Sequence, residues 1–370
     1  MINRRFEIWW VSKRINRLMK AYVLDDINKL NIKDVDLPEC VPGEVILEVK
    51  AAGICGSDIG RVFTNGTYHY PLIPGHEFSG EVVKTCEEDR EFKGKRFGIF
   101  PLIPCMKCLQ CRNKQYEMCS DYNYLGSRCD GGFAEYVRVP IWNLIELPDN
   151  VTYEQAAMLE PMSVAVHAAR RAGLLADKVA AKADNRSSTK DIRIIVMGLG
   201  TIGMSLVMML LGEGYTNIIA VGNKPIQKKT VLEIGLKEEN YIDSRDYESV
   251  KYPADVFFDC VGTKEVVNLA LNSVVPAGKI CLVGNPASDM DIDKKSYWQI
   301  LRKQQTLIGT WNSSYTHDEN DDWHYVINKL AEGVIHPEKM ITHKYDFNSV
   351  MNGFELMRDK AEEYIKVMWT

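Results

Sequence analysis

The sequence predicts an α/β protein in which a doubly wound unit sits between two parts of a β-rich domain. Three observations carry this. The stretch "IRIIVMGLGTIGMSLVMMLLGEG" (192–214) reads as a buried strand, a glycine turn and a helix. Further apolar strand-like runs alternate with helical ones after it, while short strands, frequent Gly and Pro and a four-cysteine lobe precede it.

The chain has 370 residues, enough for two domains, and its 46% hydrophobic content suits a soluble globular protein with a proper core. A formal net charge of -5 leaves no broad basic footprint, so sequence-independent nucleic-acid binding is not expected and any phosphate recognition is local. The apolar length of 194–212 approaches that of a membrane span. Its β-branched start and glycine turn argue instead for strand, turn and helix, so no membrane span is expected.

The β-rich part, 19–150, contains the strand-like "EVILEVKAAG" (44–53) and "CMKCLQCRNKQYEMC", with Cys105, Cys108, Cys111 and Cys119 spaced C-x2-C-x2-C-x7-C. Disulfides between residues three apart are geometrically poor, whereas four thiolates at this spacing suit a tetrahedral ion. A structural zinc stapling a loop is therefore expected, in a reducing, cytoplasmic setting. A nucleic-acid zinc ribbon pairs two distant CxxC knuckles; here all four cysteines lie in one lobe.

In the central unit, "GLGTIG" (198–203) directly follows a strand and opens a helix. Gly198 permits the sharp turn, Gly200 lets a pyrophosphate approach the backbone, and Gly203 lets helix and strand pack closely, with Thr201 and Ile202 between them at the helix start. This predicts a dinucleotide cofactor. "NIIAV" (217–221), a helix around 225–235, "ADVFFDCVG" (254–262) and "KICLVG" (279–284) continue the alternation, and "KADNRSSTKD" (182–191) reads as a surface loop or linker. At the end of the second strand, where NAD enzymes of this pattern carry an Asp or Glu, the chain has Gly222, Asn223 and Lys224, and no carboxylate occurs from Gly214 through Leu232. Glycine makes room for a 2'-phosphate and Lys224 supplies charge, helped by Lys228 or Lys229, so NADP(H) is expected, with NAD(H) the alternative.

"GHEFSG" (75–80) places a histidine beside a carboxylate, an ordinary loop feature on its own. The ordered set "GICGSD", "GHEFSG", the cysteine lobe, "DGGFAEY" (130–136), "LEPMSVAVHA" (159–168) and "GLGTIG" resembles the zinc-dependent medium-chain alcohol and polyol dehydrogenases over residues 19–370, the polyol-phosphate branch in particular. The resemblance implies a GroES-like β-rich catalytic domain split around a Rossmann domain: 19–166 and 310–370 catalytic, 167–309 nucleotide-binding, with 1–18 an N-terminal extension. It also implies a homodimer or homotetramer. The extension's five Lys/Arg and three aromatics suit either a membrane-surface or targeting helix or an over-extended gene start.

For the site, the resemblance implies a second, catalytic zinc held by Cys55, His76 and either Glu77 or Glu160. Asp58 then orients the histidine from behind, and Ser57 hands the substrate proton toward solvent. The function implied is hydride transfer between NADP(H) and a secondary hydroxyl of a polyol phosphate, with a free polyol or simple secondary alcohol as the alternative and a non-enzymatic nucleotide-binding role as the remote one. Arg61 and Arg128 are candidates for a substrate phosphate, and Asn312 for a further substrate contact. The sequence departs from the family's alcohol dehydrogenases at Gly60, where a relay histidine would stand.

Overall fold

The computed structural model describes residues 18–175, 191–246 and 252–370. Residues 1–17 of the expected extension and all but Asp191 of the expected loop at 182–191 lie outside them. At the centre is a six-stranded parallel sheet in the spatial order Tyr241–Asp243, Ile218–Gly222, Ile194–Met197, Ala254–Asp259, Val274–Leu282 and Thr306–Gly309. The chain enters at Ile194–Met197, runs outward to Tyr241–Asp243, then crosses back and runs the other way. This is the doubly wound order, with its reversal beside Ile194–Met197, where such sheets bind ligands.

Ile194–Met197 is buried along its whole length because helices cover both faces of the sheet. The helix Thr201–Gly212 is apolar nearly all round, since it packs between that sheet and the helix Leu159–Arg171. Double-sided burial explains its membrane-like hydropathy, and among the described residues no helix is long and apolar enough to cross a membrane. The run expected as a strand to 262 ends at Asp259, whose carboxylate turns back to accept from the Val261 and Gly262 N–H groups at 2.9 Å each. The neighbouring strand starts earlier than expected, at Val274. Tyr241–Asp243 and Thr306–Gly309 carry no long apolar run because they are the sheet's edges.

The second sheet has seven strands. Glu44–Ile54 is its axis, pairing antiparallel with Glu77–Thr85, Tyr136–Pro140 and Lys366–Trp369, and Ile341–Tyr345 lies parallel to the last of these. The register sets Gly53 opposite Glu77 and Ile54 opposite Val367. The chain's last strand is thus stitched to the strand that leads into Cys55. A division at 166/167 would fall inside the continuous helix Leu159–Arg171, which serves both units.

The glycines of the turn have separable roles. A Cβ on Gly203 would lie 1.9 Å from the Gly198 carbonyl oxygen, whereas one on Gly200 would meet nothing within 4 Å. Gly203→Ala should therefore destabilise the fold by about 1–3 kcal/mol, visible as a lowered thermal midpoint. Gly200→Ala should melt like the parent but lose dinucleotide affinity; equal melting of the two variants would refute the distinction.

Candidate active site

Cys55 ends the axial strand and caps the short helix Gly56–Gly60, so its thiol projects where sheet gives way to helix. His76 and Glu77 stand at the start of Glu77–Thr85, one strand over. The fold brings one ligand atom from each of Cys55, His76 and Glu77 within 4.8 Å of one another. Asp58, fully buried, sits behind the histidine: its Oδ1 is 3.4 Å from His76 Nδ1 and its Oδ2 accepts from the Cys55 N–H at 3.1 Å. Nδ1 thus faces the carboxylate, leaving Nε2 for a metal. Burial works against a charged imidazole, but Asp58 and Cys55 outweigh it and hold His76 well above its ordinary value. A half-buried thiol, a buried imidazole whose Nε2 is left free and a buried carboxylate, with one ligand atom of each within 4.8 Å of the others, fit a catalytic zinc.

Two residues that the sequence reading did not single out complete this core. Lys366, 2% exposed, donates to Glu77 Oε2 and to the Ile54 carbonyl at 3.1 Å. Burial disfavours its ammonium, yet Glu77, Cys55 and Glu160 keep it charged. A lone lysine inside the apolar run "YIKVMW" was the available signal. Tyr124, whose ring centroid is 5.9 Å from that of His76, donates its hydroxyl to Glu160 Oε1 at 3.3 Å. Glu160, in the first turn of Leu159–Arg171, lies outside the compact Cys55, His76 and Glu77 set. Burial pushes its carboxyl up to about 7, with Glu77 adding and His76, Lys366 and Tyr124 opposing. Ser57 is exposed on the first turn after Cys55. A Cβ on Gly60 would come 3.0 Å from Asn65 Nδ2, so an amide borders the place of the relay histidine.

The cysteine lobe closes on itself. The Sγ atoms of Cys105 and Cys111 are 4.0 Å apart, and those of Cys108 and Cys119 are 3.9 Å apart. With a Zn–S bond near 2.3 Å, the edge of a tetrahedral site is about 3.8 Å, so the four thiols fit a zinc ion. The Cys111 and Ser120 N–H groups bring the Cys108 thiol down to about 6, while burial pushes Cys111 up to about 12. A dication removes this conflict by deprotonating all four. The lobe is moored by an edge-on Tyr116–Trp142 contact at 5.1 Å and by Lys114–Asp318 at 3.1 Å.

At the nucleotide turn, Gly198 adopts φ +94° and Gly200 precedes the first helical residue, Thr201, whose hydroxyl donates to the Ile365 carbonyl at 2.9 Å. Ile202 is half-buried against the core. The open space above Gly200 suits a pyrophosphate. Gly222 closes its strand, and Gln227 Oε1 turns back to accept from the Asn223 and Lys224 N–H groups at 2.9 and 3.2 Å. Lys228 and Lys229 pair with Glu238 and Glu233, while Lys224 forms no ion pair among the described residues and lies 5.6 Å from the Tyr364 ring centroid.

The three substrate candidates differ. Arg61 Nη1 is bonded to Asp58, and its side chain is only 15% exposed, so much of its charge balances the histidine's partner. Arg128 is stacked between Tyr68 and Tyr122, with its guanidinium 4.4 and 4.2 Å from their ring centroids; it donates to the Tyr122 carbonyl at 3.3 Å and the Tyr68 hydroxyl at 3.4 Å. Asn312, at φ +55°, has its Oδ1 turned onto the Ser313 N–H at 2.9 Å.

The two candidate metal centres should respond differently to substitution. Cys108→Ser should destabilise the protein by about 3 kcal/mol, or roughly 6–12 °C in thermal midpoint, as the loop loses its ion. His76→Ala should leave a folded protein whose turnover has fallen by on the order of a thousandfold. Unchanged melting of the first, or retained turnover in the second, would refute the assignment.

Comparison with known proteins identifies the family. Residues 41–149 match the alcohol dehydrogenase GroES-like domain, and residues 153–368 match the glucose dehydrogenase C-terminus. L-idonate 5-dehydrogenase of Vitis vinifera is 30% identical, covering 95% of this chain and 94% of its own. Galactitol 1-phosphate 5-dehydrogenase of Escherichia coli K12 is 28% identical, covering 90% and 94%. The crystal structure of galactitol-1-phosphate dehydrogenase from Escherichia coli superposes with a TM-score of 0.83 at 26% identity, covering 95% of this chain and 99% of that one. The chain belongs to the zinc-dependent medium-chain alcohol and polyol dehydrogenases, NAD(P)-linked oxidoreductases acting on CH–OH groups.

Proposed function

We propose that this protein is an NADP(H)-linked zinc dehydrogenase that interconverts a secondary hydroxyl and a ketone on a polyol phosphate of the galactitol 1-phosphate kind. The observation that carries the substrate reading is Arg128. A planar guanidinium set against two aromatic rings is pre-organised, and among the described residues two of its five N–H donors are engaged, by Tyr122 and Tyr68. The remaining edge suits a bidentate phosphomonoester, which a lysine could not reproduce.

Cys55, His76 and a carboxylate would hold a zinc ion able to supply Lewis-acid polarisation of the substrate oxygen, and a bound nicotinamide would supply the hydride chemistry. The residues of this chain do the rest. Asp58 fixes the His76 ring, with Arg61 balancing the buried carboxylate, and Lys366 holds Glu77 against the sheet. Tyr124 keeps Glu160 close by as the second carboxylate. Ser57, on the exposed turn after Cys55, passes the substrate proton outward, and water must continue the path where Gly60 replaces histidine.

The preference for NADP(H) is supported by the absence of a carboxylate within the Gly222–Lys224 turn and by the Lys224 ammonium, which forms no ion pair among the described residues. Gly222→Asp is a poor test, because its Cβ alone would approach Gln227 Oε1 at 2.8 Å and disturb the turn. Lys224→Ala is cleaner: it should raise the NADP Michaelis constant about tenfold and leave that for NAD nearly unchanged. For substrate, kcat/KM should favour galactitol 1-phosphate or ribitol 5-phosphate over the free polyols. Arg128→Ala should cut the phosphate advantage at least about tenfold. Equal specificity constants with and without phosphate would return the free-polyol reading, and preference of the unmodified enzyme for NAD would overturn the cofactor reading.

A further inference from the structure

The Gly222–Lys224 turn has no carboxylate of its own, but the fold brings two to it from elsewhere. Asp243 ends the neighbouring strand in register with Gly222. Its charge is already matched: Arg245 Nε donates to Oδ1 at 2.7 Å and Nη2 to Oδ2, drawing the carboxyl down to about 2. Glu363 comes from the C-terminal segment of the other sheet's domain. Its Oε2 accepts from the Ile226 N–H at 3.0 Å, within the first turn of the helix Pro225–Glu233. The next residue, Tyr364, is the ring beside the Lys224 ammonium. The Tyr241 hydroxyl, on the strand adjoining Ile218–Gly222, is raised chiefly by burial, with Asp243 and Glu363 adding and Arg245 opposing. No Lys, Arg or His forms an ion pair with Glu363 among the described residues.

Glu363 thus has no ion-pair partner among the described residues, and the N–H it accepts from lies two residues beyond the lysine expected to meet a 2'-phosphate. We propose that Glu363 is a specificity-determining residue of the cofactor site: its carboxylate sits on backbone beside Lys224 and opposes the 2'-phosphate of NADP, so that discrimination is lower than Lys224 alone would give. A dinucleotide without that phosphate meets no such repulsion. The inference rests on the NADP reading above, and it places the control of cofactor choice in a segment more than 130 residues downstream of the turn that is usually read for it. Glu363 is exposed, so its repulsion of a neighbouring anion is screened by solvent and falls further as salt rises.

Calorimetric titration with 2',5'-ADP and 5'-AMP, which differ only in the 2'-phosphate, isolates the effect. Glu363→Gln keeps an oxygen for the Ile226 N–H and removes only the charge. It should tighten 2',5'-ADP about fivefold relative to the parent, leave 5'-AMP unchanged, and lose that advantage as salt rises. Lys224→Ala should weaken 2',5'-ADP alone. If the parent separates the two probes and Lys224→Ala narrows the gap while Glu363→Gln does nothing, the Glu363 inference fails and the NADP reading stands. Weaker 5'-AMP binding by Glu363→Gln would also overturn it, since the carboxylate would then be an acceptor for ribose hydroxyls. If neither the parent nor Glu363→Gln separates the probes, both fall.

Discussion

A lysine ammonium and a glutamate carboxylate, each 2% exposed, face one another across Gly53, and the site is assembled around that pair. A Cβ on Gly53 would lie 2.4 Å from Glu77 Oε2 and 2.6 Å from Lys366 Cε, so only glycine lets the two side chains lie over the axial strand. Glu77 begins one neighbour of that strand, Lys366 begins the other, and Cys55 follows directly after the strand ends. Leaving either buried charge unpartnered would cost about 3–5 kcal/mol, which makes the pair a register lock as well as an electrostatic one. It fixes the relative positions of Cys55, His76 and Glu77 before any ion arrives.

The same lysine connects chemistry to nucleotide. Ile365, just before it, takes the Thr201 hydroxyl at the start of the phosphate-facing helix, and Glu363 reaches the helix after Gly222. From the other side, the helix Leu159–Arg171 bears Glu160 on its first turn and packs along Thr201–Gly212. Two continuous segments thus each touch the metal ligands at one end and the nucleotide elements at the other. A hydride donor and acceptor must be held within contact of each other, and this double connection limits how far the two domains can shift apart.

What the sequence disclosed was what is local along the chain. The four lobe cysteines lie within fifteen residues and the glycine turn within six, so spacing carries their meaning, whereas Asp58, three residues from Cys55, took its role from the resemblance. His76 and Glu77 needed the resemblance, since a His-Glu pair has no chemistry until a thiol from another strand joins it. Tyr124 and Glu363 were not legible as site residues, and Lys366 only as a lone charge in an apolar run, because the register of the final strand and the folding of the lobe are what bring them in. Arg61 was legible as a cation near the site, but its pairing with Asp58 one helical turn back gives it a different part from Arg128. No carboxylate adjoins Gly222 in the sequence, but the parallel sheet delivers Asp243 to that strand end from the next strand over.

The central claim is that one chain holds two zinc ions in unlike surroundings, one of sulfur alone and one mixed. X-ray absorption at the zinc edge on the purified, active protein tests it most directly. Five thiolates shared between two ions predict about 2.5 sulfurs per zinc near 2.3 Å, together with a nitrogen and oxygen shell at about 2.0–2.2 Å. A spectrum fitted by four sulfurs per zinc with no lighter shell, from protein that still turns over, would contradict the account.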